Sequence, residues 1–360
     1  MVVNLRALGC FEDVLCAAQE AVVLDHKLAE MDPTITKDLA HSLRNLAFDL
    51  RAVNRREDAL RTDEEAITLC RKLAEMDPSI GEDLAHSLHN LAFDLRTVNR
   101  LEDALCANQE AVMLRRKLAE MDPAISEDLA QSLNSLAVDL RAVDRPEDVL
   151  RTDEEAVALH RKLAEMDPAF TEDLARSLED LAFDLSALGR RKDALHTTQE
   201  VVTLCRKLSE VDPTSTKDLA HSLHNLAFDL RAVDRAEDAL CTDEEAVALR
   251  HKLAEMDPTI TKDLARSLHN LAVDLRAVDR PEDALRTNEE AVILHCKLVE
   301  MDPAITKDLA QSLHNVGFDC SALGHFEDGL CAYQEAVELR RKLVEMDPAI
   351  SEDLACHCTT

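Results

Sequence analysis

"NLAFDLRAVNRREDAL" occupies residues 45–60, and nearly the same sixteen residues return at 90–105 as "NLAFDLRTVNRLEDAL" and at 225–240 as "NLAFDLRAVDRAEDAL". Asn45, Asn90, Asn225, Asn270 and Asn315 are separated by multiples of 45. A "MDP" or "VDP" tripeptide sets prolines at 33, 78, 123, 168, 213, 258, 303 and 348, again 45 apart. A fixed period of about 20 to 50 residues marks a repeat array, in which each unit buries its apolar face only against its neighbours. Residues 1–360 are therefore read as a single repeat array. Its units are 1–33 (with a truncated first helix), 34–78, 79–123, 124–168, 169–213, 214–258, 259–303 and 304–348, and 349–360 is the broken start of a further unit.

Each unit reads as two helices. Leu39, Leu43, Leu46, Leu50 and Val53 recur at steps of four, three, four and three, one face of an α-helix with no period-two alternation. Thr36 stands ahead of that face and is expected to cap it, as are Ser126, Thr171, Thr216, Thr261, Thr306 and Ser351 in the same phase. The helix should stop near Asn54, a position filled elsewhere by Gly9, Asn99, Asp144, Gly189, Asp234, Asp279 and Gly324. These residue types best tolerate the left-handed conformation that ends helices. Pro146 and Pro281 then open a second helix, where a missing N–H does no harm. That helix carries Ala59, Leu60, Ala66, Ile67, Leu69 and Leu73 toward the core, and the small alanines let the paired helices approach closely.

Composition narrows the function classes. Forty-one Lys+Arg against seventy-two Asp+Glu leave a formal charge of −31, which repels phosphates and anionic headgroups. Neither nucleic acid nor a membrane surface is expected as a partner. No apolar run is long enough to span a bilayer, and the N-terminus lacks the pattern of a secretory signal. Eleven cysteines without such a signal read as reduced thiols, so a cytoplasmic location is expected. "CHC" at 356–358 offers too few donors for a metal site.

Asn45-Leu46-Ala47, Leu50, Asn54, Ala59 and Ala66 resemble the tetratricopeptide repeat, and the phrase is similar to the long repeat of kinesin light chains and related fungal and bacterial arrays. The resemblance covers essentially the whole chain. It implies an all-α fold: a right-handed superhelical solenoid of about eight antiparallel helix hairpins, whose first helices line a concave groove for peptides or partner proteins. It also implies a backbone-gripping role for Asn45, Asn90, Asn225, Asn270 and Asn315. One departure stands out. The family's bulky position in the second helix holds Ala18, Asp63, Asn108, Asp153, Thr198, Asp243, Asn288 and Tyr333.

A stripe of the first helix, set away from the core leucines, is the candidate binding surface. Its residues are Asn45, Phe48, Arg51, His86, His89, Asn90, Phe93, Arg96, Arg141, His221, His224, Asn225, Phe228, Arg231, His269, Asn270, Arg276, His314 and Asn315. Arg forks onto carboxylates, Asn pairs with peptide backbone and Phe receives apolar side chains. Within the stripe itself acids are scarce, Glu179 and Asp180 excepted. An extended acidic peptide is therefore the expected ligand, and protonation of the histidines should tighten its binding at pH 6 relative to pH 7.5. The alternative is that Arg51 and its copies simply pair with neighbouring acids.

The histidines stand on successive helices about 8–10 Å apart, too far to converge on one ion. No Gly-rich phosphate loop, nucleophile elbow or His-Glu-x-x-His occurs, so neither enzyme activity, cofactor nor metal is expected. The expectation is a non-catalytic protein-interaction scaffold or adaptor. The alternatives are a sensor or regulatory segment of a larger signalling protein, for example one attached to a signalling ATPase, and a plain spacer. Uncapped apolar ends would expose core positions and favour end-to-end self-association, or mark a slice of a longer protein.

Overall fold

The computed structural model describes residues 11–77 and 80–346. Two compact bodies make up the chain, Met1–Asp184 and Leu185–Thr360. Among the described residues there are fifteen α-helices and no strand. The first body holds α1 (Phe11–Met31), α2 (Thr36–Ala52), α3 (Arg56–Ala74), α4 (Gly81–Thr97), α5 (Leu101–Ala119), α6 (Ser126–Ala142) and α7 (Pro146–Met166). It also holds most of α8 (Thr171–Ala187), whose last residues belong to the second body. There follow α9 (Arg191–Val211), α10 (Thr216–Ala232), α11 (Ala236–Met256), α12 (Thr261–Ala277), α13 (Pro281–Val299), α14 (Thr306–Ala322) and α15 (Phe326–Met346).

Helices adjacent in the chain pack on one another, α1 on α2 through α6 on α7, and α9 on α10 through α14 on α15. The predicted apolar face is the buried one: Leu39, Leu43, Leu46 and Leu50 lie in the core with Ala47, Ala59 and Ala66. Burying a leucine fully contributes about 1.5–3 kcal/mol, and the zero exposure of the three alanines is what lets the helices close on those leucines. The first helices start at residues 36, 81, 126, 171, 216, 261 and 306, so the 45-residue phrase is also the structural repeat.

The hairpin turns follow the sequence. Asn54, Asn99, Asp144, Asp234 and Asp279 adopt φ between 57° and 61°, and Gly189 and Gly324 adopt 73° and 81°. Arg55 N–H returns to Leu50 O at 2.9 Å and Asn54 N–H to Arg51 O at 2.9 Å, which satisfies the last carbonyls of α2. Pro146 and Pro281 open α7 and α13 as expected.

The helix starts differ from expectation. Thr36, Ser126 and their equivalents are the first helical residues, and no side chain caps the first helices at their N-cap residues Ile35, Ile80, Ile125, Ser215, Ile260 and Ile305. A 3₁₀ turn precedes them, and the aspartate of "MDP" opens it: Asp122, Asp167, Asp257 and Asp302 each accept from the backbone N–H two residues on at 2.9 Å. Pro removes a donor and leaves the aspartate to satisfy the next N–H, so Thr171 turns its hydroxyl to Pro168 O instead. The truncated first helix, Gly9, Ser351 and the "CHC" tail lie outside the described residues, as do the ends whose apolar edges prompted the self-association reading.

Candidate functional site

The arginines of the stripe point into the joints between hairpins. In the first body Arg51 of α2 donates from Nη2 to Asp63 Oδ2 of α3 at 3.1 Å, with Asp94 of α4 3.6 Å from its Nε. Arg141 of α6 binds Asp184 of α8 through Nε at 3.0 Å and Nη2 at 2.7 Å, and Asp153 of α7 at 3.0 Å. In the second body Arg231 reaches both Asp243 and Asp274 at 2.8 Å. Arg96 and Arg276 serve joints of a second kind, where an amide replaces one carboxylate. Arg96 pairs with Asp139 at 3.1 Å while Asn108 donates to the same carboxylate, and Arg276 holds Asp319 at 2.8 Å beside Asn288 at 2.6 Å. One joint has no guanidinium: Thr198 donates to Asp229 at 2.6 Å and Ser186 at 3.4 Å.

This corrects the expectation of a free cationic stripe. Asp94, Asp139, Asp184, Asp229, Asp274 and Asp319 hold the aspartate position of the "LAFDL" phrase ("LAVDL" at 136–140 and 271–275, "VGFDC" at 316–320), inside an apolar run, and every one is buried. Each lies across the joint from the preceding hairpin's arginine, which it neutralises, or, at Asp229, from Ser186, whose hydroxyl donates to it. The polar residues at the family's bulky position are explained by the same joints, since Asp63, Asn108, Asp153, Thr198, Asp243 and Asn288 all bond into them. A charged residue recurring in an otherwise buried apolar run was the available signal, because a buried charge needs a partner.

A second polar row escaped sequence reasoning. The serine of "HSL", "QSL" or "RSL" meets a buried residue of the preceding second helix: Arg115 bonds Ser132, His160 Nδ1 lies 2.8 Å from Ser177, Cys205 lies 3.3 Å from Ser222 and His295 lies 2.9 Å from Ser312. These contacts too link successive hairpins.

Phenylalanines and amides also line the first-helix face, with His41, Arg176 and Arg266 exposed beside them. Phe48, Phe93 and Phe183 in the first body, and Phe228 and Phe318 in the second, are each at least half exposed. Arg96 and Arg276 lie 5.9 Å and 5.6 Å from the Phe93 and Phe318 ring centres, so each arginine serves a joint and a ring together. Between α2 and α4 opens a recess of about 550 Å³ lined by His41, Arg44, Asn45, Phe48, His86, Asn90 and Arg115, with the acids Glu82, Asp83 and Asp128. Arg44 already pairs with Asp83 at 2.8 Å, so this recess carries charge of both signs. A smaller one, about 270 Å³, includes His269 and His295 with Lys262, Asp263, Arg266 and Asp308. Asn45 and Asn90 turn amides to the larger recess; Asn270 lies 3.2 Å from His224 Nε2 and Asn315 2.7 Å from His269 Nδ1.

The histidines do not become the acid-side charge source expected of them. Burial, then Arg115 and other nearby cations, pulls His89 down to about 4. Burial also lowers His86, His221, His269 and His314, with arginines adding to the effect at each. Among the described residues no three His, Cys, Asp or Glu side chains are grouped to hold a metal ion. No helix there is long and apolar enough to cross a membrane.

Two segments, residues 39–75 and 264–302, match the tetratricopeptide repeat family model. The solved structure of BtubC (BKLC) from P. vanneervenii superposes with a TM-score of 0.54 over 68% of this chain and 92% of that one, at 21% identity. The apo form of RapI does so with 0.54 over 85% and 99%, at 12% identity. A putative kinesin light chain with nearly identical TPR-like repeats from Podosopora anserina gives 0.48 over 59% and 95%, at 20% identity. Two of this chain's repeats thus match the tetratricopeptide repeat. A search of curated proteins returns no match. The hairpins here bury the alanines that resemble that repeat and place a polar joint at the position expected to be bulky.

Proposed function

We propose that this tetratricopeptide array is a protein-interaction scaffold whose first-helix face takes an extended segment of a partner protein. The observation that carries the reading is the row of half-exposed phenylalanines kept in register by the repeat, beside a recess edged with Asn45 and Asn90. Rigid aromatic rings offer apolar anchor points at low entropic cost, and amides satisfy peptide backbone. The acidic preference expected from the sequence is not carried forward, because the arginines that prompted it are taken up in the joints. The anchors are apolar, and charge in the recess is mixed.

The experiment is selection of a randomised peptide library on the whole chain, followed by titration of the selected peptide. Phe93→Ser should weaken binding at least fivefold, while Met113→Ser, half exposed on a second helix, should leave it unchanged. Equal affinity for Phe93→Ser and the parent would refute the proposal.

A further inference from the structure

Three joints hold two buried carboxyls around a single guanidinium. Asp63 and Asp94 share Arg51, Asp153 and Asp184 share Arg141, and Asp243 and Asp274 share Arg231. Five of these six carboxyl side chains are no more than 2% exposed. In each pair both carboxyls lie within 3.6 Å of the same guanidinium, and two ionised carboxylates there would bring acceptors only. Consistent with one missing hydrogen, Asp63 Oδ1, Asp243 Oδ1 and both oxygens of Asp94 have no donor among the described residues. One guanidinium cannot neutralise two buried carboxylates, and like charges in a shared site cannot both ionise.

We infer that each of these joints is a proton-binding site, in which one proton shared by the two carboxyls holds a hairpin to the next and its loss loosens that hold. Of the other charged neighbours, Arg44 is paired to Asp83, Asp180 adds negative charge near Asp153, and His224 Nδ1 stands 3.7 Å from Asp243, where against burial it helps Arg231 hold that carboxyl below its ordinary value while Asp274 is raised. Burial, aided by the second carboxyl, pushes Asp63 and Asp153 up to about 8, and burial first of all pushes Asp274 up to about 7. The amide joints are the internal contrast, because Asn108 and Asn288 donate the hydrogen that a proton supplies elsewhere. Acid pairs stand at 63, 153 and 243 and amides at 108 and 288, with Thr198 at the joint that lacks an arginine. The array thus combines joints of two carboxyls with joints of one carboxyl and one amide, whatever its first-helix face binds.

The sign follows from linkage. An acid whose folded pKa is raised keeps its proton where the unfolded chain has released it, so stability falls as pH rises above the ordinary range and levels off above the folded value. The test is the urea midpoint of the full chain from pH 6 to pH 9, compared with Asp63→Asn/Asp153→Asn/Asp243→Asn, which copies the amide joints. The parent midpoint should fall across this window and the variant's should stay flatter; parallel curves would overturn the inference. Independently of how the variant folds, infrared spectra of the parent at neutral pH should contain a protonated-carboxyl C=O band that disappears by pH 9. A parent spectrum with no such band would equally overturn it.

Discussion

Arg141 and its partners allow one joint to be rebuilt as another. Arg141→Ser removes a guanidinium that makes three contacts with Asp184 and one with Asp153, and leaves two buried carboxyls facing each other. Breaking a buried ion pair by removing one partner costs about 3–5 kcal/mol; Arg141 is about a quarter exposed, so about 3 kcal/mol is expected. Adding Asp153→Thr to Arg141→Ser reproduces the joint already present at Ser186, Thr198 and Asp229, where two hydroxyls satisfy one carboxylate. The double variant should lie only about 1 kcal/mol below the parent, a coupling of about 2 kcal/mol between contacting residues. Urea denaturation followed by circular dichroism, for the parent, both single variants and the double, measures it. If the two single costs simply add, the joint is not a cooperative cluster and the reasoning fails.

Three further outcomes follow from the same geometry. Because His86, His221, His269 and His314 are lowered, a selected peptide should bind equally at pH 7.5 and pH 6, and tenfold tighter binding at pH 6 would show that they titrate there. With His89 lowered to about 4, the unfolded chain takes up its proton first, so stability is lost as pH falls from about 6.5 toward 4, by up to ~3 kcal/mol; His89→Gln should flatten that loss in acid denaturation. A Cβ on Gly317 would meet the Tyr333 ring at 2.9 Å, so Gly317→Ala should cost about 1–3 kcal/mol in thermal unfolding, and Tyr333→Asn should restore it by copying the Ala272 and Asn288 arrangement.

The hairpins were legible in the sequence because local physics sets them. Leucine spacing fixes the buried face, and Asn54 with its equivalents fixes the turn through a backbone conformation few residues accept. The helix starts were misassigned to Thr36 and its copies because the competing cap, Asp32, lies on the far side of a proline and bonds inside a 3₁₀ turn. Phe48, Phe93 and Phe228 are half exposed, as residues set away from the core leucines should be. The arginines were not, for a reason of scale. Arg51 belongs to one hairpin and Asp94 to the next, so a stripe drawn on a single helix cannot contain the partner. The aspartate of "LAFDL" and the polar residue at 63 each broke a local rule, and the two anomalies resolve together once hairpins are stacked.

Hydroxyl-radical footprinting of the whole chain with and without a saturating selected peptide tests the central claim most directly, since it reads side-chain exposure residue by residue. The account predicts strong labelling of Phe48, Phe93 and Phe183 in the free chain and loss of that labelling on binding, while Met76, Met121 and Met166, at or just past the ends of second helices, stay reactive. Protection of those methionines with the phenylalanines unchanged would place the partner on another face and contradict it.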